Sequence, residues 1–230
     1  MRGIVALLCL VASLAASPAT AQWIEYEQVE AVEPDAGSER FVWYEVVEDA
    51  PAIPAGIGDY GPFRVLDQGR AAMMDVTDER SPAAFRAMLL DYPGIAVIDM
   101  IDCPGTEDDR ANLAVGRMIR ERGIVTHVPE GGSVRSGAVE LFLAGARRYA
   151  DPGAQFAVHS WMDDLGQEPS DYAASAPENA KYLEYYRQMG MTAQEATAFY
   201  AMTNSVPHEQ ALWLDATQMA QWVRLDNTAG

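Results

Sequence analysis

The sequence has 230 residues, of which 49% are hydrophobic and 22% are charged, the composition of an ordinary globular protein. Its 34 acidic residues outnumber 16 Lys and Arg residues, which gives a formal net charge of −18. Nucleic acids and anionic lipid surfaces bind clusters of Lys and Arg, so we expect neither as a partner. Lys181 is the only lysine, which argues against Schiff-base and P-loop chemistry. Three His and two Cys argue against a zinc site, and we expect no cofactor.

Residues 1–21 have the pattern of a secretory signal peptide: a positive charge, an apolar run from Gly3 to Ala16, and a small-residue ending at Ala21. The alternative is a permanent membrane anchor, but the run is shorter than the roughly 20 residues that span a bilayer. We expect cleavage after Ala21 and a periplasmic or secreted mature protein without a stable membrane anchor. The mature chain keeps one cysteine, Cys103, so no intrachain disulfide can form.

Residues 22–62 are acidic and rich in Pro and Gly, which indicates an N-terminal extension, although an aromatic run at 40–47 favours a strand. From residue 63 onward, apolar runs of strand length alternate with helical patterns. The predicted strands lie at about residues 72–76, 95–101, 124–128 and 155–159. The first predicted helix starts with Ser81 as its N-cap. A second lies at about Glu107–Arg122 and opens at Thr106. Three more lie at about Ser136–Arg147, Glu178–Met189 and Ala193–Thr203, the last with Thr192 and Glu195 as a capping box. This alternation is typical of an α/β domain with a mostly parallel sheet, here residues 63–230.

Three segments fall where strands end, the place where loops of an α/β sheet build sites. The first is Ile101-Asp-Cys-Pro-Gly105-Thr106, a buried strand followed by a turn and a helix. Backbone N–H groups at a helix start are unpaired and suit an oxyanion. A simple Pro-Gly turn is the alternative and is the commoner use of that dipeptide.

The other two segments carry a serine and a histidine. Ser136 lies between small residues at the start of an apolar helix, where a nucleophile is accessible to a carbonyl group. The alternative is that Ser136 is simply the N-cap of that helix. His159 ends a strand and can act as a general base for Ser136, and the alternative is a hydrogen-bonded structural histidine.

Taken together, these segments resemble one family. Ser136-Gly-Ala-x-x-Leu-Phe-x-Ala-Gly-Ala and Asp151-Pro-Gly-Ala-Gln-Phe-Ala-Val-His159 are similar to the Ser- and His-bearing segment of the Clp protease proteolytic subunit. Ile-Asp-Cys-Pro-Gly105 resembles that family's oxyanion loop, and the order of loop, Ser and His is the same. The resemblance extends over about residues 72–161 and is closest to exported bacterial Clp-like proteins that lack an ATPase partner. It implies the ClpP/crotonase fold, with stacked β-β-α turns and C-terminal helices that often mediate oligomerisation.

The resemblance also implies roles for individual residues. Ser136 would be the nucleophile, His159 the general base, and Gly105 and Gly137 the oxyanion donors of an acyl-enzyme mechanism. The third member of the triad would be Glu209, with Asp163 or Asp164 as alternatives close to the histidine. Two departures from the family are Thr106 in place of a second loop glycine, and an acidic run that follows it, Glu107-Asp108-Asp109.

The sequence therefore predicts an exported serine hydrolase, a peptidase that acts without ATP on peptide or protein substrates. The alternative is a catalytically impaired relative that serves as a peptide-binding or structural oligomeric module, with a possible homo-oligomer formed through the C-terminal helices. Cys103 is expected to be buried and inert, and Lys181, His127 and His208 are expected to be solvent-exposed. The tyrosine-rich cluster at 182–200 is explained by packing between two helices or, alternatively, by contact with another subunit.

Overall fold

The computed structural model describes residues 52–226, within which the chain forms ten strands and six α-helices. The first four strands and the first helix are β1 (Gly58–Tyr60), β2 (Phe63–Val65), β3 (Arg70–Met73), α1 (Ser81–Asp91) and β4 (Val97–Met100). The middle of the chain forms β5 (Asp102–Cys103), α2 (Asp109–Glu121), β6 (Val125–Val128), β7 (Ser133–Arg135), α3 (Ala138–Ala144), β8 (Arg148–Ala150) and β9 (Gln155–Val158). A short 3₁₀ helix (Pro169–Asp171) precedes α4 (Pro177–Gln188), α5 (Ala193–Thr203), β10 (Leu212–Asp215) and α6 (Ala216–Met219).

The strands form two sheets. The larger has six strands in the order β1-β2-β3-β4-β6-β8, antiparallel among its first three strands and parallel from β3 to β8. The smaller has four strands in the order β10-β9-β7-β5, parallel except for β10. The fold class is therefore α/β with mostly parallel sheets, as predicted.

The chain passes between the two sheets in repeated β-β-α units. In one unit β4 lies in the larger sheet, β5 in the smaller, and α2 follows; in the next, β6 and β7 divide in the same way before α3. Because the second strands of successive units are parallel neighbours, their carboxyl ends meet at one edge of the smaller sheet. The expected stacked β-β-α arrangement is confirmed, and it brings the loops after β5, β7 and β9 together.

The C-terminal helices α4 and α5 pack on the body of the chain through aromatic side chains. Tyr182, Tyr185, Tyr186 and Phe199 have no exposed surface, and the rings of Tyr186 and Phe199 meet edge to face with centroids 5.1 Å apart. Tyr185 Oη donates a hydrogen bond of 2.7 Å to the carbonyl of Glu140 on α3. Within the described residues, intramolecular packing therefore explains these rings. None of the helices in residues 52–226 has the length and apolar content to cross a bilayer.

Most predicted elements are confirmed, with shifts at their ends. The N-cap of α1 is Arg80 and that of α2 is Asp108, whose carboxylate accepts a bond from Ala111 N–H, so the predicted caps at Ser81 and Thr106 are wrong. Ser81 is instead the first residue of the helix, and its hydroxyl donates a hydrogen bond to Asp78. The capping box predicted from the Thr192 and Glu195 pair at the start of α5 is present.

Three further differences concern the region around the candidate site and the N-terminus. α3 ends at Ala144, earlier than predicted, and the chain then forms β8, which the sequence did not indicate. No element was predicted where β7 lies, and β1 lies within the predicted extension yet pairs with β2. The predicted signal peptide (1–21) and the strand at 40–47 lie outside the described residues.

Candidate active site

The three predicted site segments converge at the carboxyl edge of the smaller sheet. β7 lies between β5 and β9, with Val134 opposite Cys103 on one side and Arg135 opposite Ala157 on the other. Gly105 follows β5, Ser136 follows β7, and His159 follows β9. Ser136 also continues the pairing of β7 with β9, since its N–H donates a hydrogen bond of 2.8 Å to the Ala157 carbonyl. The three strands therefore hold Gly105, Ser136 and His159 at neighbouring positions.

Ser136 has an unusual backbone conformation. Its φ is +50°, and it is the only non-glycine residue with a positive φ among residues 52–226. The left-handed region costs an L-residue about 1–2 kcal/mol, because Cβ crowds the following carbonyl oxygen. The residue stands between β7 and α3, so the chain makes a sharp strand-to-helix turn with a serine at its apex. This is the geometry of a nucleophile elbow.

The hydroxyl of Ser136 is also unusual. Ser136 is fully buried, and its Oγ has no hydrogen-bond partner within the described residues. The N-cap of α3 is Gly137, and no side chain caps that helix, so the alternative that Ser136 acts as the N-cap is wrong. Leaving a buried hydroxyl unsatisfied costs about 1–3 kcal/mol. Ser136 Oγ is consequently not hydrogen-bonded to His159 in this structure, and catalytic hydrogen bonds are often long in the absence of substrate.

The proton of His159 can be assigned from its surroundings. The ring is fully buried, and Nδ1 lies 2.8 Å from the carbonyl oxygen of Ser160. A carbonyl oxygen can only accept, so Nδ1 must carry the proton and Nε2 of the neutral ring must carry the lone pair. This is the tautomer that a general base needs, because Nε2 is then able to take a proton from a nucleophile.

A second histidine, His208, lies against His159. The two ring centroids are 4.9 Å apart with the ring planes at 81°, and His208 Nδ1 lies 3.0 Å from the same Ser160 carbonyl oxygen. His208 is only 3% exposed, so the expectation of a solvent-exposed residue is wrong. No local pattern in the sequence indicates this contact, because it joins two loops that are distant along the chain.

The carboxylates considered for the third position are elsewhere. Glu209 and Asp164 are exposed, whereas His159 is fully buried. Asp163 accepts bonds from the Leu165 and Gln167 N–H groups and from the Tyr172 hydroxyl. The group that accepts the Nδ1 proton of His159 is a backbone carbonyl, and the residue brought beside the ring is His208, next in sequence to Glu209.

Gly105 and Gly137 flank Ser136 closely. Gly105 has a φ of +137°, and a Cβ at this position would lie 3.0 Å from Ser136 Cβ. A Cβ on Gly137 would collide with Thr106 Cγ2, and Asn112 Nδ2 donates a bond of 2.6 Å to the Gly137 carbonyl. Neither glycine N–H donates a hydrogen bond within the described residues. Both positions therefore require glycine for space, and both offer an unused backbone donor beside Ser136.

The three acidic residues after Thr106 do not all lie at the loop that contains Gly105. Glu107 is exposed, Asp108 caps α2, and Asp109 is buried where it accepts the hydroxyl of Tyr182. Thr106 is itself buried, and its hydroxyl lies within hydrogen-bond distance of two carbonyl acceptors, those of Thr77 and Asp108. The departure from the family pattern at this loop is thus accommodated by a capped helix start.

Other reactive side chains do not contribute to this site. Cys103 is fully buried and donates a weak bond to the Met73 carbonyl, and burial raises the pKa of its thiol, as expected for an inert cysteine. Lys181 is partly exposed, with Nζ 5.1 Å from the ring centroid of Tyr182. Within residues 52–226, no group of three or more His, Cys, Asp or Glu side chains is arranged to hold a metal ion.

Comparison with known proteins gives structural likenesses only. No protein-family model and no curated protein matches the sequence. One matching structure is a mutant of the membrane-bound stomatin-specific protease 1510-N with a substrate peptide, at 16% identity and a TM-score of 0.43, covering 66% of this chain and 73% of that chain. Another is a ClpP1 mutant from Listeria monocytogenes, at 13% identity and a TM-score of 0.49, covering 67% of this chain and 87% of that chain.

A second 1510-N mutant matches at 16% identity and a TM-score of 0.44, over 67% of this chain and 75% of that chain. ClpP is the family that the Ser136 and His159 segments resemble. Likenesses at these identities and scores leave the activity to be argued from the site itself. By its own architecture the chain is an α/β protein with mostly parallel sheets, in which a strained, buried serine and a histidine follow neighbouring parallel strands.

Proposed function

We propose that this protein is an exported serine hydrolase, a peptidase that uses Ser136 as nucleophile and His159 as general base. The observation that carries the proposal is the state of Ser136, which combines a φ of +50° with a buried hydroxyl that has no partner. A glycine would remove both costs, and a capping role does not explain them. Strained residues and unsatisfied polar groups of this kind concentrate at functional sites.

The steps follow from the positions of the groups. Ser136 Oγ attacks the carbonyl carbon of a peptide bond while His159 Nε2 takes its proton. The oxyanion of the tetrahedral intermediate receives hydrogen bonds from the N–H groups of Gly105 and Gly137. The intermediate collapses as the C–N bond breaks, and the imidazolium of His159 returns the proton to the leaving amine. Water, deprotonated by His159, then hydrolyses the acyl-enzyme and restores the hydroxyl of Ser136.

The Ser160 carbonyl, rather than a carboxylate, contacts His159 Nδ1 in the described part of the chain, which affects the expected rate. In the serine-protease template, replacing the carboxylate by an amide costs about 10⁴ in turnover because the wrong tautomer forms. Here the Ser160 carbonyl selects the useful tautomer. The remaining loss is the charge that would stabilise the imidazolium, so we expect a slow enzyme with a smaller deficit than that factor.

Access to the site requires movement, because Ser136 and His159 have no exposed surface. Gly105 lies directly against Ser136, so we propose that the loop of residues 105–107 shifts when a substrate carbonyl enters. Opening before reaction makes the proposed enzyme slow to react even with strong electrophiles. Export rests on residues 1–21, and ATP independence rests on the resemblance to exported Clp-like proteins.

The experiment is covalent labelling of the mature protein with a fluorophosphonate probe, with the adduct located by mass spectrometry. We expect one adduct, on Ser136, that is lost in Ser136→Ala. The matched control is Ser81→Ala, which removes another buried serine hydroxyl and should leave labelling unchanged. Labelling at another residue, or equal labelling of Ser136→Ala, would contradict the proposal.

A second candidate function is a catalytically impaired peptide-binding or structural oligomeric module. Two observations favour it. Ser136 Oγ makes no hydrogen bond to His159 in this structure, and neither residue has exposed surface. A folded wild-type protein that no fluorophosphonate labels would favour this candidate. Sedimentation of the same sample would then show whether it assembles into an oligomer.

A further inference from the structure

We propose that His208 is a positioning residue that orients His159 through the carbonyl group of Ser160. The proposal rests on the function proposed above, because it concerns the group that orients the proposed general base. Two imidazole groups and one carbonyl oxygen form the unit: His159 Nδ1 lies 2.8 Å and His208 Nδ1 lies 3.0 Å from the Ser160 oxygen. The oxygen can only accept, so both rings donate from Nδ1.

His208 restrains His159 in two ways. It occupies the second acceptor direction of the Ser160 oxygen, which fixes the direction of the carbonyl that selects the His159 tautomer. Its ring also packs against the His159 ring, with centroids 4.9 Å apart and planes at 81°, which restricts rotation of the His159 imidazole about its Cβ–Cγ bond. The base therefore keeps Nε2 in one direction without a carboxylate.

The segment that contains His208 holds Ser160 at several points. This 204–208 segment contributes two backbone carbonyls and the His208 ring. Ser160 N–H donates a bond of 3.0 Å to the Val206 carbonyl, and Ser160 Oγ donates one of 3.3 Å to the Asn204 carbonyl. The carbonyl that orients His159 is consequently fixed by the 204–208 segment on both sides, and His208 is the member that contacts the carbonyl oxygen itself.

His208 is in turn held in place by a contact outside the site. Its backbone N–H donates a bond of 2.9 Å to Glu168 Oε1, beside the 3₁₀ helix. This charge-assisted bond anchors the backbone of a residue whose ring is almost fully buried. The arrangement differs from a carboxylate triad in that the groups that orient the base are a neutral carbonyl and a histidine.

The test compares two amide substitutions that place an N–H donor at different positions. In His208→Asn the amide nitrogen stands close to the position of Nδ1, and in His208→Gln it stands close to that of Nε2. We expect the rate of fluorophosphonate labelling at Ser136 to fall about ten-fold to a hundred-fold in His208→Gln, the range known for loss of a group that orients a metal-ligating histidine. His208→Asn should restore the rate to within a few-fold of the wild-type value.

The control is His127→Gln, which changes a histidine of the larger sheet and should leave the labelling rate unchanged. Circular dichroism of each variant establishes that it is folded. Two results would overturn the proposal: a labelling rate in His208→Gln equal to that of the wild type, or the same slow rate in His208→Asn and His208→Gln. Only His208→Asn keeps the donor at the position that contacts Ser160.

A spectroscopic measurement separates this proposal from the proposed function. Nitrogen NMR of ¹⁵N-histidine-labelled protein reports which ring nitrogen of His159 carries the proton. We expect Nδ1–H in the wild type and in His208→Asn, and a mixture of tautomers in His208→Gln. If the wild type fails to react with the probe but the tautomers change in this way, the hydrolase proposal fails while positioning stands. An unchanged tautomer in His208→Gln would overturn positioning alone.

Discussion

His127 lies within a parallel strand of the larger sheet and His159 just after one of the smaller sheet, and their surroundings differ. His127 lies in β6 of the larger sheet, with Nδ1 2.7 Å from Asp99 Oδ1 and Nε2 3.2 Å from Asp151 Oδ2. His159 follows β9 of the smaller sheet and donates Nδ1–H to a neutral carbonyl. His127 has the carboxylate partner that a triad histidine has, but it is His159 that lies near the strained Ser136.

The comparison shows how a carboxylate can make a histidine less suitable as a base. The hydrogen bond with Asp99 raises the pKa of His127, against burial, and Asp151 adds to the effect. Carboxylates at both nitrogens favour the imidazolium, which has no lone pair to accept a proton. His127 therefore serves an ion-pair network, in which Arg70 Nη2 also binds Asp99 at 2.6 Å. The Nδ1 partner of His159 is an uncharged carbonyl, which does not favour the imidazolium as a carboxylate does.

The largest predicted effect separates the two histidines by activity. His159→Gln removes the proposed base and should lower the rate of fluorophosphonate labelling by at least about a hundred-fold, the lower end of what general-base catalysis contributes. His127→Gln should leave the rate within about two-fold, because it acts in the other sheet. The measurement is the second-order labelling rate, and equal losses in both variants would show that the difference between the two sites has no catalytic meaning.

A second prediction concerns the space beside Ser136. Gly105→Ala should destabilise the fold by about 2–3 kcal/mol and abolish labelling, because the added Cβ lies 3.0 Å from Ser136 Cβ at a φ of +137°. Gly166→Ala is the matched control, with a φ of +74° and no atom within 4 Å of the added Cβ. It should cost only the conformational strain, about 1 kcal/mol, and leave labelling intact. Urea denaturation and the labelling rate check both parts, and retained labelling in Gly105→Ala would refute the assigned contact.

Much of the fold was predictable from local signals, whereas β7, the strand that leads to Ser136, was not. The periodicity of α4 and α5, and the Thr192 and Glu195 capping box, are local signals that do not depend on distant residues. β7 was missed because a three-residue strand after Gly131-Gly132 carries little pattern of its own, and its identity comes from pairing with β5 and β9.

The site itself depends on contacts between distant residues and on backbone conformation. Serine does not signal a positive φ as glycine does, so the strained turn at Ser136 has no mark in the sequence. His127 and His208 were both predicted to be exposed, because no partner for either lies close to it in sequence. Each acquires its partner only when separate strands or loops meet. The resemblance located Ser136 and His159, but it assigned the third position to a carboxylate and so gave no indication of His208.

A third prediction addresses the role of the carboxylate network. Asp99→Asn should lower the free energy of unfolding by about 2 kcal/mol, since Asp99 is nearly buried and accepts charge-assisted bonds from Arg70 and His127. The labelling rate should not change. The loss is measured by urea denaturation at neutral pH, and a variant as stable as the wild type would show that these bonds only offset the burial of the charges.

The same network predicts a pH dependence of stability. The folded-state pKa of His127 is raised, so its stabilisation is fully present below the unfolded pKa of about 6.5 and is lost as pH rises through the folded pKa. The pKa of Asp99 is lowered, because its bonds with His127 and Arg70 outweigh the effect of burial, so Asp99 stays ionised over this range. The stability difference between wild type and His127→Gln should therefore be larger at about pH 6 than at about pH 9. A difference that grows with pH would contradict the sign.

The smallest predicted effect tests whether the strain at Ser136 is real. Ala and Gly both remove the hydroxyl, but Ala keeps a Cβ at a φ of +50° and Gly does not. Ser136→Gly should therefore be more stable than Ser136→Ala by about 1 kcal/mol, the cost of the left-handed region less the greater flexibility of glycine in the unfolded chain. At Ala196, inside α5, substitution by Gly should instead destabilise by about 1 kcal/mol. If Gly also proves less stable than Ala at 136, the serine is not strained, and the feature that distinguishes its site from that of His127 is lost.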